Sequence, residues 1–403
     1  MHAQVSKQVN GVNAENYVRR SPEGHLYAID HSIYQDPAVY QAELEKIFKR
    51  QWVFVGLEVE VPRPGSFKTT WVADVPVVIV RDEDGKLHVY ENLCLHRGAQ
   101  LVRKTCGEAQ RLTCMYHRWT YDLKGRLTGV PWPEKFTEGF RKEELKLSEF
   151  PRVESYAGMI FASYREDIEP LPAYLGEAKG LLDTILAKGN IELLGNQRYH
   201  VKANWKLFVE NTVDGYHPGL LHTMIFPDKG WEYNPAQGFC RKFRNGHGLL
   251  QWPASKMPES NWDEETHLPV ALSKARNETG WDYSVSIFPN AMVLQIADII
   301  TIRQLVQKGV DQVDVITYNL AHQDDSPEVK RHRAWVASGQ FGSAGIASLD
   351  DKFAMEAIQV TAPARYKDTL LLRGDLAESG GELTTEFSLR GFYEKWTECL
   401  KSA

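Results

Sequence analysis

At 403 residues the chain is long enough for two ordinary domains and a large core, and its 43% apolar and 25% charged content is that of a globular protein. A formal charge of -6, with no Lys/Arg run, argues against a nucleic-acid-binding surface. No apolar run reaches membrane-spanning length, and the polar opening MHAQVSKQVNGVNAEN lacks the apolar stretch of a signal peptide.

Residues 1–50 are read as a leading segment followed by a helix. In DPAVYQAELEKIFKRQW, Tyr40, Leu44, Ile47 and Phe48 have helical spacing, and Asp36-Pro37 is the start signal. Residues 51–165 read as strands. WVFVGLEVEV, WVADVPVVIVRD and KLHVYENL are rich in β-branched and aromatic residues. Asp84-Gly85 and Lys124-Gly125 mark hairpins, and Tyr156-Ala157-Gly158 separates VESY from GMIFASY. The pattern changes near 166, where PLPAYLGEAKGLLDTILAKG is helical. Strands return at QRYHVKA, SVSIFPNAMVLQIAD, ITIRQLVQKG and QVDVITYNLAHQ. Helices follow at SPEVKRHRAWVASG, with Ser326 as cap and Pro327 in the first turn, and at DDKFAMEAIQVTA. The last helix sets Leu389, Phe392 and Trp396 on one face. Residues 166–403 are therefore expected to form an α+β domain with an antiparallel sheet and helices packed on it.

Cys94 and His96, then Cys114 and His117, sit in two short segments, CLHRG and CMYHRW, with seventeen residues between His96 and Cys114. Two thiolates and two imidazoles suit either zinc or an iron–sulfur cluster. One Cys and one His per loop fits a Rieske [2Fe–2S] cluster, in which two Cys hold one iron and two His the other. Zinc fingers instead pair Cys with Cys and His with His. Cys106 falls on the excursion between the loops and reads as part of a turn. With Cys240 and Cys399 it leaves an odd remainder, which points to reduced thiols and a cytoplasmic location.

The segment ANWKLFVENTVDGYHPGLLHT carries Glu210, Asp214, His217 and His222. Its first part is helical, with Asn204 as cap, and Gly215 and Pro218 interrupt it. Two histidines and one carboxylate make the facial triad of non-haem iron oxygenases. The carboxylate is either Asp214 or a distant acid such as Asp350 or Asp351. Asp351 shares a helical face with Met355 and Ile358, where an acid is costly unless paired or ligating. The competing reading is that Asp350 and Asp351 cap their helix.

Together the two constellations resemble the Rieske non-haem iron aromatic ring-hydroxylating oxygenases, in their large (alpha) subunit, from about residue 40 to 400. The resemblance is carried by CLHRG at 94–98, CMYHRW at 114–119, ENTVDGYHPGLLH at 210–222, FPN at 288–290, SLDDKFAME at 348–356 and RGFY at 390–393. The pattern is most similar to the salicylate hydroxylase and terephthalate dioxygenase branch.

The resemblance implies an N-terminal all-β Rieske domain and a C-terminal helix-grip catalytic domain. It implies that Cys94 and Cys114 bind the inner iron of the cluster and His96 and His117 the outer one. His217, His222 and Asp351 would bind mononuclear Fe(II), with Asp350 as the alternative carboxylate. Asp214 would bridge the cluster of a neighbouring subunit to an iron-bound histidine. Electrons would come from NAD(P)H through a partner reductase, with or without a ferredoxin, and O2 would be the oxidant. The assembly would be a homotrimer, or α3β3 with a small beta subunit. Arg303 and Arg390 match positions where that branch carries arginines, so an aromatic carboxylic acid is the expected substrate. Phe208, Val209, Leu220 and Phe288, with Phe341 and Ile346, are expected pocket walls. The same motifs also serve N- or O-dealkylation, and the first constellation alone would serve a non-catalytic electron carrier.

Overall fold

Asp36 opens the first helix by accepting the Ala38 amide, with Pro37 in the first turn. The computed structural model describes residues 12–222, 237–254, 280–364 and 368–401. The chain enters through β1 (Val18–Arg20) and β2 (Leu26–Asp30), then α1 (Pro37–Glu43) and one wider turn over Leu44–Phe48.

Ten short strands follow: β3 (Val53–Leu57), β4 (Ser66–Val72), β5 (Val75–Arg81), β6 (Leu87–Glu91), β7 (Cys106–Glu108), β8 (Leu112–Thr113), β9 (Thr120–Tyr121), β10 (Leu127–Gly129), β11 (Arg152–Tyr156) and β12 (Met159–Ser163). They form three small antiparallel sheets, ordered β6-β5-β4-β7, β10-β9-β8 and β11-β12-β3. The turn signals fall where the sequence sets them. Gly85 between β5 and β6, Gly125 between β9 and β10, and Ala157-Gly158 between β11 and β12 all have positive φ.

After two helices, α2 (Leu171–Leu175) and α3 (Ala178–Ile185), comes β13 (Ile191–Val201). Next are α4 (Trp205–Thr212), α5 (Pro218–Leu221), β14 (Phe239–Lys242), β15 (Gly248–Pro253), β16 (Trp281–Ile287), β17 (Ala291–Ile296), β18 (Ile299–Gly309) and β19 (Gln312–His322). The chain closes with α6 (Pro327–Phe341), α7 (Ile346–Thr361), β20 (Asp368–Leu370), β21 (Gly380–Glu382) and α8 (Phe387–Lys401). Eight strands pair antiparallel in the order β13-β19-β18-β17-β16-β15-β14-β21.

The central strands of this sheet are buried on both sides, and the alternation along β18 shows what each side meets. Ile300, Ile302 and Gln304 face the strand-rich domain. Gln304 donates to Phe54 O on β3, and Tyr318 on β19 pairs with Lys68 on β4 at 2.6 Å. Ile299, Thr301, Arg303 and Leu305 face the helices. Ile299 packs with Val336, Ala337 and Phe341 of α6 and Ala347 of α7. The iron-binding candidates lie on this helix side.

The leading segment packs on the same helices. β2 pairs with β20 as well as β1. Glu43, fully buried at the end of α1, accepts from Lys206 Nζ and Trp205 Nε1 of α4 and from Trp396 Nε1 of α8, each at 2.7 Å. One departure concerns α7. It starts at Ile346, so Asp350 and Asp351 lie inside the helix and cap nothing. The capping reading falls for that reason.

Candidate active site

The loops that hold Cys94 and Cys114 repeat one turn. In each, the Cys carbonyl accepts the amide four residues on, from Gly98 at 2.8 Å and from Arg118 at 3.0 Å. In each, the Cys amide donates to the carbonyl five residues on, of Ala99 and of Trp119, both at 2.8 Å. Both turns need a left-handed residue at the same place, Gly98 at φ 69° and Arg118 at φ 58°. Glycine adopts that backbone freely, whereas arginine does so at some cost.

The two thiols are buried, whereas His96 is exposed and His117 half-buried. The Tyr121 hydroxyl lies 3.3 Å from Cys94 Sγ and accepts the Leu95 amide. Burial pushes the Cys94 thiol up. On the outer side His96 Nδ1 and His117 Nδ1 converge to 3.1 Å, and the His96 ring stacks on Trp119 at 4.8 Å. Donors are thus split, sulfurs inward and nitrogens outward. No three of these four donors lie close enough together to share one ion. That disfavours a single tetrahedral zinc and fits a two-iron cluster held through Cys on one iron and His on the other. Cys106 lies exposed on β7, on the excursion between the loops.

The second centre is built where α4 ends. Asn204 caps that helix by accepting the Lys206 amide. The chain leaves it through Gly215, where a Cβ would collide with the Leu383 carbonyl oxygen. Pro218 then starts the single-turn α5, with His217 before it and His222 after it. Asp351 comes from the second turn of α7. Its Oδ1 lies 3.4 Å from His217 Nε2 and 3.3 Å from His222 Nε2. Among the described residues these three alone offer donors close enough to share an ion. Ligands about 2.1 Å from one ion and at right angles stand about 3 Å apart, so the set fits one metal.

Each of the three has a second partner. His217 Nδ1 faces Asp214 Oδ2 at 3.3 Å, and His222 Nδ1 faces Asp350 Oδ2 at 3.3 Å. Asn211 Nδ2 donates to Asp351 Oδ1 at 3.0 Å. Such partners fix the orientation of metal-binding side chains. Burial disfavours the charge on His217, but Asp214 and Asp351 outweigh it and push its pKa to about 9. Burial likewise works against ionised Asp351, yet the two imidazoles hold its carboxyl well below the usual carboxylate range. Asp214 is thereby a neighbour of the triad and not a member of it. Glu210 is bonded elsewhere, to the Tyr34 and Tyr393 hydroxyls, and burial pushes its carboxyl up to about 7.

The expected substrate residues separate. Arg303 is 3% exposed, and its Nε and Nη2 have no hydrogen-bond partner among the described residues. Its guanidinium lies over the rings of Phe341 at 5.0 Å and Phe208 at 5.7 Å. Phe208 is one helical turn from Asn211, which holds Asp351, so Arg303 borders the triad. Val209 is buried beside Phe208.

Three expectations need correction. Arg390 spends Nη1 on the carbonyls of Leu371 and Arg373 and Nη2 on that of Asp375, so it clamps a loop and has only Nε without a partner among the described residues. Phe288 packs on Phe392, while its carbonyl and amide are bonded to Tyr174 and His247, so it belongs to the core. Leu220 is 64% exposed on α5 and lines no enclosed surface among the described residues. Sequence reading missed Asn211, the His222 contact of Asp350, and the buried polar pair Thr301 and Asn319 on β18 and β19. Polar residues at alternate positions within the buried stretches of otherwise apolar strands, as in TIR and TYN, are the signal that could have found that pair.

A family model described as Rieske [2Fe-2S] domain matches residues 51–156, and one described as ring hydroxylating alpha subunit (catalytic domain) matches residues 190–402. The chain is 34% identical over 360 residues to the large subunit of anthranilate 1,2-dioxygenase from Burkholderia cepacia, covering 82% of this chain and 83% of that one. It is 29% identical over 391 residues to the large oxygenase component of salicylate 5-hydroxylase from Ralstonia sp, covering 90% and 92%. Among solved structures, naphthalene 1,2-dioxygenase with indole in its active site superposes with a TM-score of 0.84 at 26% identity, covering 97% of this chain and 95% of that one. Among the described residues no helix is long and apolar enough to cross a membrane.

Proposed function

The chain belongs to the family of Rieske aromatic ring-hydroxylating oxygenase large subunits, and on that premise we propose that it hydroxylates an aromatic carboxylic acid whose carboxylate Arg303 receives. The observation that carries the substrate reading is the burial of Arg303 without an acidic partner among the described residues. A buried charge is costly unless it is paired. Two aromatic rings offset part of that cost. A carboxylate would offset more, through two parallel hydrogen bonds to the free edge of the guanidinium. The relatives that act on anthranilate and salicylate lend this reading support.

The enzyme carries a Rieske [2Fe–2S] cluster and a mononuclear iron and draws on NAD(P)H through a partner reductase. Cys94 and Cys114 would hold one cluster iron and His96 and His117 the other. His217, His222 and Asp351 would hold the mononuclear iron. When bound, the cluster passes single electrons and the iron activates dioxygen for insertion into the ring. The protein's own work is positional. Asp214 and Asp350 keep His217 and His222 turned toward Asp351, Asn211 steadies that acid, and Arg303 would place the ring. The exposed His96–His117 edge suits electron exchange with another chain, which supports assembly as a homotrimer, with or without a small beta subunit as α3β3. A carrier that only relayed electrons would leave the triad without a role.

The test is oxygen uptake with benzoate-type acids and their uncharged amides, in wild type and Arg303→Gln. We expect acids to be turned over and the variant to lose about 100-fold in kcat/KM toward them, the cost of leaving a buried carboxylate unpaired. Equal use of acid and amide by the wild type would overturn the carboxylate reading.

A further inference from the structure

Arg303 is not alone on its face of the sheet. Thr301, two residues earlier on β18, and Asn319, directly opposite Thr301 on β19, are buried as well. Thr301 Oγ1 and Asn319 Oδ1 have no hydrogen-bond partner among the described residues. Directly paired residues share a face, so all three side chains look toward the helices. Apolar residues border the pair, with Leu294 opposite Thr301 on β17 and Ile299 packed against Phe341, while Thr317, opposite Arg303 on β19, adds a further buried hydroxyl without a partner among the described residues. One strand repeat, about 7 Å, separates the Thr301–Asn319 pair from Arg303, the span of a benzene ring with its substituents.

The chemistry of the two positions is complementary. Arg303 only donates. The free atom of Asn319 accepts, and the Thr301 hydroxyl either donates or accepts. A ligand that satisfied both would be anionic at one end and would carry a hydroxyl or amino hydrogen at another ring position. Buried polar groups reject analogues that leave them unpaired more strongly than apolar walls reject a change of size.

We propose that Asn319, with Thr301 beside it, is a specificity-determining residue that accepts a hydrogen bond from a hydroxyl or amino substituent, so that the preferred substrates are hydroxy- or amino-substituted aromatic acids. This rests on the reading of Arg303 as carboxylate receiver, and the experiment separates the two.

Equilibrium binding to the intact holoenzyme is measured under nitrogen by tryptophan fluorescence. The probes are benzoate, the hydroxy- and aminobenzoate isomers, the methoxybenzoates and phenol. A methoxy group fills the same space and cannot donate. At least one hydroxy or amino isomer should bind about tenfold or more tighter than benzoate and than its methoxy counterpart. In Asn319→Leu that ratio should fall to about one. If no isomer outbinds its methoxy counterpart, or the ratio survives in the variant, the role of Asn319 is overturned while that of Arg303 stands. If phenol matches the hydroxybenzoates and Arg303→Gln does not change the ratio of benzoate to phenol, the carboxylate reading fails instead. Absence of binding by every acid overturns both. The wild-type series alone decides the first question, so a poorly folding variant does not block it.

Discussion

Asp350 meets His222 on the side of the ring away from Asp351, with Oδ2 3.3 Å from Nδ1, while Asp351 Oδ1 lies 3.3 Å from Nε2. Two successive acids of α7 thus flank one imidazole. The nitrogen that a metal would take faces Asp351, and the other is braced by Asp350.

That arrangement gives the two acids unequal weights. Asp351→Asn should remove the mononuclear iron altogether. Asp350→Asn should keep it with affinity lowered about 10–100-fold, as for other outer partners of metal ligands. Iron per chain after dialysis against a graded chelator distinguishes them. Equal loss in both variants would mean that Asp350 ligates directly.

His96→Ala should abolish the visible absorption of the cluster and leave iron near one per chain, since the two centres share no donor. Absorption and iron content on one sample check this. An unchanged spectrum would remove His96 from the ligand set.

Glu43→Gln should cost about 3–5 kcal/mol, because it strands Lys206, which is fully buried, without a counter-charge. Burial already holds the Lys206 ammonium pKa below its usual range despite Glu43. Urea midpoints give the number. The double variant with Lys206→Met should recover much of it, and a loss under 1 kcal/mol in the single variant would contradict the pairing.

His247 makes stability fall with acid. Its Nε2 donates to Tyr174 O and its Nδ1 accepts the Phe288 amide, both at 3.0 Å, so the folded state needs the neutral ring. Burial lowers its pKa from 6.5 to about 4. Between those values the unfolded chain binds the proton more readily, so stability present at pH 7 is lost as pH drops through this window. The full loss is about 3 kcal/mol. Urea unfolding at pH 7 and pH 5 should show a decline that His247→Gln flattens, with the variant weaker at pH 7. An equally steep decline in the variant would assign the acid sensitivity elsewhere.

What could be read from the sequence was local. Asp36, Asn204 and Ser326 cap their helices through amides two or three residues away, so short motifs disclose them. The Cys and His of each outer loop lie within one turn and declare themselves by spacing. Asp351 was harder. Gly345 precedes α7 without a capping side chain, so the helix start was not visible and an acid inside the helix looked like an acid at its end. Arg303 and Arg390 read alike because what separates them is remote. The pairing of β18 with β19 turns one into the helix face, and a loop more than ten residues away engages the other. Asn211 carried no signal of its own, since its partner Asp351 is 140 residues distant.

The antiparallel pairing of β3 with β12 places the way into the strand-rich domain beside the way out, and the segment ahead of it is tied back to α4, α8 and β20. In topological terms the cluster-bearing module is an insertion within the other domain and not a preceding bead. An exchange with a homologue's module is therefore an internal graft with two adjacent seams, ahead of β3 and after β12. A fragment beginning after the second seam would leave Lys206 without Glu43, and so would misfold for a reason unrelated to iron.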